Sequence, residues 1–410
     1  MNRKKECLIV NETCFVIDHV TVYSEEQTIQ NGYLKVDNGK IIEIGHTDER
    51  TIAGQEKVYS FNESVSVLPG MIDVHIHGVN GADTMDASTE ALDTITKALP
   101  GEGTTSFLAT TITQEAKAIE RAIQNAGEYL MERQQPGHAE VLGIHLEGPF
   151  LNSKRAGAQP PHAMQRPDVD VFKTWNKLAN NTIKLVTLAP EIEGGMELVR
   201  YLTERGIVAS IGHSDASYEQ VMKAVECGAS HVTHLYNGMR GLHHREPGVA
   251  GAALLSKQLK TEVIADGYHV RPEMIKLAYF QKSDAGMILI TDAMRAKCLK
   301  NGRYDLGGQD VEVKDGKALL DNGTLAGSVL KMKDALANIQ AFTGCTLENA
   351  IKMASENPAK QLGVFDRKGS LAVGKDADFF LRSIDGEVMM TFCNGHLAYT
   401  NKGDVENENH

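Results

Sequence analysis

The stretch Val67-Leu-Pro-Gly-Met-Ile-Asp-Val-His-Ile-His-Gly78 decides the fold of this chain. Its apolar run at residues 71–77 predicts a short strand, because glycine bounds it on both sides. Side chains alternate along a strand, so His75 and His77 lie on the same face. Two imidazoles that point at one spot can form part of a metal site, although a His-x-His pair alone is a weak signal. Whether the His75–His77 pair indicates a metal site depends on the polar residues at the ends of other strands.

The chain beyond this stretch alternates between strand, loop and helix. The predicted strands cover residues 71–77, 104–110, 140–146, 183–188, 207–211, 231–235, 262–265 and 287–291. The predicted helices between them cover residues 88–99, 114–133, 195–205, 217–227 and 271–281, with two more at 331–342 and 347–356. Eight β/α units over about 220 residues predict an α/β fold, a TIM-type (β/α)8 barrel. A doubly wound open sheet is the alternative, but no Gly-x-Gly-x-x-Gly sequence follows the first strand.

Both ends of the chain have the pattern of β structure. Residues 15–22, 33–36 and 40–44 are strand-like near the start, and residues 376–381 and 388–392 near the end. We therefore expect one small β domain built from both chain ends. The expected boundaries are 1–65 and 366–410 for the two parts of this domain, and 66–365 for the barrel. A structural role is favoured over a binding module, and a hairpin at 311–320 is expected as an insertion after the eighth strand.

Composition excludes several classes of function. The net charge of −12 argues against binding to nucleic acid or to an anionic membrane, since both require a basic face. The six cysteines are scattered without a Cys-x-x-Cys spacing, which is typical of a reducing compartment. The apolar run near the amino terminus is only residues 7–10, too short for a secretory signal. We therefore expect a cytoplasmic protein without a membrane span.

Titratable side chains stand at the ends of six of the eight predicted strands. In a TIM barrel the carboxyl ends of the strands form one face, and that face carries the active site. These residues are His75 and His77, Glu147, His213, His234, Asp266 with His269, and Asp292. His145 and His231 are interpreted as core residues, or as residues that support the ligands, rather than as ligands themselves. Packing alone does not explain so many polar residues at one rim, and we interpret the set as a candidate active site.

The chemistry that this set favours is metal-assisted hydrolysis. His75, His77 and Glu147 could hold one divalent ion, and Glu147 with His213 and His234 a second one. A bound metal lowers the pKa of its water toward neutrality and polarises a carbonyl group. Asp292 on the eighth strand could take the proton of that water and pass it to a leaving amine. Zinc, iron, manganese, nickel and cobalt all accept such ligands, with zinc or iron expected first and one or two ions per subunit.

Several motifs resemble one family closely. They are His145-Leu-Glu-Gly-Pro-Phe-Leu-Asn152, Gly212-His-Ser-Asp215, Thr233-His-Leu-Tyr-Asn-Gly-Met239, Arg245-Glu-Pro-Gly248, Ala265-Asp-Gly-Tyr-His269 and Leu325-Ala-Gly-Ser328. On these motifs the chain is similar to the N-acetylglucosamine-6-phosphate deacetylase family of the amidohydrolase superfamily. The resemblance covers nearly the whole chain, and other amidohydrolases place a lysine where Glu147 stands.

The resemblance implies an activity and a role for each matching residue. The implied reaction is removal of the acetyl group from N-acetyl-D-glucosamine 6-phosphate. Glu147, His213 and His234 match the main metal ligands, His75 and His77 a second metal site, and Asp292 the catalytic acid/base. The resemblance also implies a homodimer in which Arg245 reaches the neighbouring active site and binds phosphate. The matching substrate-binding positions are Ala158, Gln159, Asn237, Gly238, Arg245, Asp266, Gly267, Tyr268, His269, Leu325, Ala326, Gly327 and Ser328.

Two positions depart from the family pattern. Gln159 stands where many members have histidine; its amide can donate a hydrogen bond to the acetyl oxygen but cannot become a cation. Gly238 stands where alanine is usual. The alternatives are another amidohydrolase acting on a cyclic amide or a nucleobase, a non-catalytic scaffold, and a phosphate-handling isomerase barrel. Without the resemblance, Arg245 would be interpreted as a solvated charge in a polar loop.

Overall fold

A computed structural model describes residues 14–50, 56–61 and 64–401 of the chain. The strands are β1 Cys14–Tyr23, β2 Thr28–Asp37, β3 Lys40–His46, β4 Lys57–Ser60, β5 Ser66–Pro69, β6 Met71–Ile76, β7 Gly78–Val79, β8 Ala82–Asp83, β9 Thr104–Thr110, β10 Glu140–Glu147, β11 Ile183–Leu188, β12 Val208–Ile211, β13 His231–Val232, β14 Lys260–Ile264, β15 Met287–Ile290, β16 Gly302–Leu306, β17 Gln309–Lys314, β18 Lys317–Leu320, β19 Phe379–Arg382, β20 Val388–Cys393 and β21 His396–Thr400. The α-helices are α1 Thr89–Ala98, α2 Ala116–Glu132, α3 Val169–Leu178, α4 Gly195–Thr203, α5 Tyr218–Glu226, α6 Gly248–Leu255, α7 Pro272–Gly286, α8 Met332–Thr343, α9 Leu347–Ile351 and α10 Asn357–Gln361, with a π-helical turn at Lys352–Glu356 between the last two.

Eight parallel strands form the barrel in the order β6-β9-β10-β11-β12-β13-β14-β15. The first and last strands meet at their carboxyl ends, where the Asp292 amide donates to the His75 carbonyl at 2.8 Å and the His77 amide to the Ala293 carbonyl at 2.9 Å. The helices between the strands bury one apolar face each; in α2, for example, the buried residues include Ile119, Ile123 and Ala126 at helical spacing. The predicted (β/α)8 barrel is therefore confirmed.

Helices α3, α6 and α10 lie outside the predicted helical ranges, and strand β13 is shorter than predicted. Helix α6 was not predicted. All of its residues except Leu255 are buried, so it has no polar face and no amphipathic period. Helix α3 was also missed, although the Asp168 side chain accepts from the backbone amides of residues 170 and 171 as an N-cap. Strand β13 ends at Val232 rather than at residue 235, because the backbone of His234 turns into a left-handed conformation with φ 30°.

The second large sheet joins the two ends of the chain. Its order is β21-β20-β19-β5-β1-β2-β3, and β4 also pairs with β1. The turn between β2 and β3 has φ 48° at Asn38 and 77° at Gly39, the left-handed pair that a two-residue hairpin requires. The expected small β domain from both termini is confirmed as an architecture, and its residue boundaries stay a prediction.

The insertion after the eighth strand forms a three-stranded sheet, β16-β17-β18, and not only the predicted hairpin. The turn at Asp315-Gly316 is present, with φ 51° and 78°. This sheet buries its own small apolar cluster, which includes Leu306, Val311 and Ile112 of the barrel. It also contacts the barrel mouth, because Gln309 Nε2 donates to the Ala158 carbonyl at 2.5 Å.

The described part of the chain contains no helix that is both long enough and apolar enough to cross a membrane. Five cysteines fall within the described ranges, and all five are free thiols. The sixth, Cys7, lies outside the described residues, as do the apolar run at 7–10 and most of the segment used for the leader prediction.

Candidate metal centre and active site

His75 and His77 lie at the end of β6 and point into the barrel mouth, as the strand period predicted. Glu262 Oε2 lies 3.0 Å from His75 Nδ1 and fixes the proton on that nitrogen. The other ring nitrogen, His75 Nε2, is buried without a hydrogen-bond partner among the described residues. It lies 3.5 Å from Glu147 Oε1 and 3.5 Å from Asp292 Oδ1. A buried lone pair that faces two carboxylates is suited to a cation between them.

Glu147, His213 and His234 converge at the ends of β10, β12 and β13. Glu147 Oε1 lies 3.2 Å from Nε2 of each histidine, and the two Nε2 atoms lie 3.1 Å apart. The Nδ1 atom of His213 donates to the Arg155 carbonyl at 2.9 Å, and that of His234 to the Asn237 carbonyl at 3.1 Å. In the neutral rings both Nε2 atoms therefore carry lone pairs, and three acceptors face one another.

Three converging acceptors repel one another unless a cation lies among them, so the donor set fits a divalent metal ion. The ligand atoms of Glu147, His213 and His234 lie within 4.8 Å of one another, and those of His75, His77 and Glu147 do so as well. Glu147 belongs to both sets, with Oε1 facing the first set and Oε2 lying 3.4 Å from His77 Nε2. Residues that could hold one or two ions are thus assembled at one rim of the barrel.

His145 and His231 also lie near this cluster but have other partners. His145 Nε2 lies 2.7 Å from Thr187 Oγ1, and its Nδ1 lies 3.1 Å from the Val74 carbonyl. Burial lowers the pKa of His145 to about 3, so the ring is neutral. His231 Nε2 lies 3.0 Å from Glu262 Oε1. Both histidines are buried in the barrel interior, in agreement with their interpretation as core residues.

Asp292 lies beside the first-strand histidines. Its Oδ1 lies 3.3 Å from His77 Nε2. Burial opposes ionisation of this carboxyl, but its interactions with the His75 and His77 imidazoles lower its pKa below the ordinary value. The backbone is strained here: Asp292 has φ 48°, and His213 and His234 have φ 46° and 30°. Left-handed conformations are costly for residues with a side chain and cluster at functional sites.

Two buried acids that support the site were not among the predicted site residues. Glu262 on β14 contacts His75 and His231, and its Oε2 accepts from the His234 amide at 3.1 Å. Asp73 on β6 accepts from the amides of His75 at 3.2 Å and Thr291 at 3.3 Å, so it ties the first strand to the eighth. The signal that could have found them is a carboxylate inside a strand that is otherwise buried and apolar.

A cavity of about 260 Å³ opens above these residues, a volume suited to a small molecule. Most predicted substrate residues contact it or support one that does. The predicted residues that line it are His77, Glu147, His213, His234 and Asp292 of the metal and catalytic set, and Ala158, Gln159, Asn237, Gly238, His269, Leu325 and Gly327 of the substrate set.

The other predicted substrate residues lie behind or beside the cavity. Asp266 Oδ2 accepts from His269 Nδ1 at 2.6 Å and orients that ring. Ser328 is buried, and its hydroxyl donates to the Thr291 carbonyl at 2.6 Å, next to Asp292. Tyr268 is half exposed, with Lys317 of β18 over its ring. Arg245 is on an exposed loop, where its guanidinium lies 2.8 Å from His244 Nε2. The remaining two, Gly267 and Ala326, adjoin these residues in the chain.

The fold and the ligands at its strand ends define an enzyme-type (β/α)8 barrel with a candidate metal centre. The sequence profile of the amidohydrolase family matches residues 66–398. The chain therefore belongs to the amidohydrolase family.

Individual relatives narrow this class. The chain is 50% identical over 388 residues to the N-acetylglucosamine-6-phosphate deacetylase of Bacillus subtilis. The aligned region covers 94% of this chain and 98% of that enzyme. It is 38% identical to the N-acetylgalactosamine-6-phosphate deacetylase of Escherichia coli O157:H7, over 81% of this chain and 87% of that one. A mutant N-acetyl-D-glucosamine-6-phosphate deacetylase of Mycobacterium smegmatis, solved with N-acetyl-D-glucosamine-6-phosphate, has a TM-score of 0.88 at 28% identity, covering 95% and 100% of the two chains.

Proposed function

We propose that this protein hydrolyses the acetamide bond of N-acetyl-D-glucosamine 6-phosphate, releasing D-glucosamine 6-phosphate and acetate in amino-sugar catabolism and recycling. The observation that carries the proposal is the convergence of Glu147 Oε1 with Nε2 of His213 and His234 in a cavity that Asp292 also lines. Similarity to deacetylases over nearly the full length supports the choice of substrate.

Glu147, His213 and His234 would hold one divalent ion, and His75 and His77 with Glu147 would hold a second. When bound, such an ion polarises an amide carbonyl and lowers the pKa of water. Zinc or iron is proposed first, and manganese, nickel and cobalt also suit imidazole and carboxylate ligands. Occupancy of one or both sites is compatible with the arrangement of the side chains.

Asp292 is proposed as the general base and general acid. Its lowered pKa keeps it as a carboxylate, which is the form that accepts a proton from water. The protonated carboxyl then donates to the nitrogen that leaves the acetyl carbon. It lines the cavity next to His77, and its backbone bonds to His75 and Ser328 fix it between strand β6 and the segment that carries Ser328.

The substrate set is proposed to orient the sugar. Although burial disfavours a charged imidazole, the hydrogen bond to Asp266 raises the pKa of His269. In its protonated form the His269 ring presents an N–H donor to the cavity, suited to the oxygen of a sugar hydroxyl. Asn237 and Gly238 line the same cavity next to His234 and His213. The turn that contains Leu325 and Gly327 completes the wall with backbone groups.

Arg245 is proposed to bind the phosphate of substrate in a neighbouring subunit of a homodimer. Its side chain is on an exposed loop and outside the cavity lining, which suits a residue that acts on a second copy. We expect Arg245→Ala to raise KM for the phosphosugar about 10- to 100-fold, since a charge-assisted phosphate contact contributes about 1.5–3 kcal/mol. KM for unphosphorylated N-acetylglucosamine should not change. An equal rise for both sugars would show that Arg245 does not recognise phosphate.

The epimer N-acetylgalactosamine 6-phosphate is a second candidate substrate. The observation that favours it is the 38% identity to a deacetylase of that sugar phosphate. The ratio of kcat/KM for the two phosphosugars decides between them. The location is proposed to be cytoplasmic, which the free thiols of the described cysteines support.

The deciding experiment measures acetate release from N-acetylglucosamine 6-phosphate by protein purified with its metal, together with metal quantification. We expect turnover that a strong chelator abolishes and that added zinc, iron or manganese restores. Turnover that persists after the metal has been removed would contradict the metal-dependent mechanism. A metal-loaded protein that releases no acetate from either phosphosugar would contradict the proposed substrate class.

A further inference from the structure

The side-chain amide of Gln159 has a fixed orientation. The backbone amide of Thr113 donates to Gln159 Oε1 at 2.9 Å, and a backbone N–H can only donate, so the amide oxygen must face Thr113. The amide nitrogen then faces Glu147 and donates to its Oε2 at 2.7 Å. Gln159 is 4% exposed, so solvent does not compete for these bonds. The flip state of this glutamine follows from its partners.

The two oxygens of Glu147 consequently have different surroundings. Oε1 faces the Nε2 atoms of His213 and His234, both at 3.2 Å. Oε2 holds the Gln159 hydrogen bond and lies 3.4 Å from His77 Nε2. The last torsion of a glutamate side chain is soft, so strand β10 alone does not fix the carboxylate plane. A donor bonded to one oxygen does fix it.

The loop that carries Gln159 is itself held in place. The Gln159 backbone amide donates to the Ala156 carbonyl at 2.9 Å, which closes a turn. Gln309 of the insertion donates to the Ala158 carbonyl at 2.5 Å from outside. The amide that contacts Glu147 therefore belongs to a braced segment, whereas Thr113 follows strand β9 on the other side. Gln159 bonds directly to Thr113 and to Glu147, and so connects its own loop to both of them.

We propose that Gln159 is a positioning residue for Glu147, which sets the carboxylate so that Oε1 faces the His213–His234 pair and Oε2 the His77 side. The inference rests on the metal site proposed above. Residues that orient a ligand in this way typically change metal affinity 10- to 100-fold when they are removed. The substrate contact predicted for Gln159 is a separate property, because the second hydrogen on Nε2 is not the one that Glu147 accepts.

The test is Gln159→Met, which keeps an unbranched side chain of similar length and removes the amide. The metal dissociation constant is measured without substrate, by competition with a chelator of known affinity. We expect it to rise about 10- to 100-fold, and we expect the bound metal to reach the wild-type content as the metal concentration is raised. Gln124→Met is the matched control, since that amide donates to the exposed carboxylate of Glu128 at 2.9 Å, which belongs to neither ligand set; its metal affinity should equal that of the wild type.

Gln159→Asn provides a second variant in case the methionine variant does not fold. It keeps a polar amide but is one methylene shorter, so it cannot reach Thr113 and Glu147 together, and we expect weaker metal binding again. Unchanged metal affinity in a folded variant overturns the positioning role. This also holds if KM for the phosphosugar rises while the metal affinity stays the same. A wild-type protein that binds no metal in the same titration overturns the metal site and this inference with it.

Discussion

Two clusters of charged side chains in this molecule differ in how their charges are paired. The junction cluster, between the barrel and the terminal sheet, consists of Glu140, Arg367, Lys368, Asp376 and Asp378. Its cations and acids are paired: Lys368 contacts Asp378 and lies 2.7 Å from Glu140, and Arg367 lies 2.8 Å from Asp376. The mouth cluster of Glu147, Asp292 and four histidines instead directs lone pairs toward common points.

Charge pairing and backbone conformation distinguish the structural junction cluster from the functional mouth cluster. With Lys40 Nζ 2.6 Å from Asp376 Oδ1, the junction cluster has three cations for its three acids, so its residues stabilise the contact between two parts of the chain. The mouth cluster is complete only with a cation, and three of its residues have left-handed backbones, a conformation found at none of the five junction positions. Strain together with incomplete pairing indicates a site that binds something.

The largest expected effect comes from the mouth cluster. Asp292→Asn keeps the shape of the side chain but removes the base, so kcat should fall about 10³-fold or more. Metal content and the melting temperature should stay near those of the wild type, because the barrel core is unchanged. Acetate release and metal analysis on the same preparation measure both. Asp305→Asn on the insertion is the control, and near-normal turnover of the Asp292 variant would remove this residue from the mechanism.

The junction cluster should give the reverse pattern. Lys368→Met leaves Asp378 buried without its cation, so the free energy of unfolding should fall by about 3 kcal/mol while kcat of the folded protein is unchanged. Denaturant unfolding and acetate release measure the two quantities. Lys333→Met is the matched control, because its pair with the largely exposed Glu387 should contribute under about 1 kcal/mol. A selective loss of kcat in the Lys368 variant would contradict the comparison.

The smallest expected effect is a pH dependence at the junction. Burial opposes ionisation of Glu140, but hydrogen bonds from Arg367 and the charge of Lys368 lower its pKa below the ordinary value. A carboxylate with a lowered folded-state pKa stabilises the fold above its unfolded pKa of about 4.3, and this stabilisation is lost as the pH falls through the folded value. Glu140→Gln should therefore be about 2 kcal/mol less stable at pH 7, with a difference that narrows below about pH 4. A constant difference from pH 7 to pH 3 would contradict this origin.

Sequence analysis recovered the parts of this protein that follow from local periodicity. The eight barrel strands were predicted in the right places because short apolar runs with polar ends recur between amphipathic helices. Helix α6 was missed for the complementary reason: a helix buried on every side has no period to detect. The bridging role of Glu262 was also missed, since its partners are 28, 31 and 187 positions away in the chain.

The amino-acid pattern alone places His75 and His77 on one face and ligand-type residues at the ends of the other strands, because side-chain direction follows from the strand period. It also determined the family, through motifs spread over the chain. Only the tertiary structure decided which lone pairs meet, which acid orients which histidine, and that the Gln159 amide bonds to Glu147. Those facts depend on how strands close into a barrel and loops fold over its mouth, and distances between residues far apart in the chain are not encoded in any local pattern.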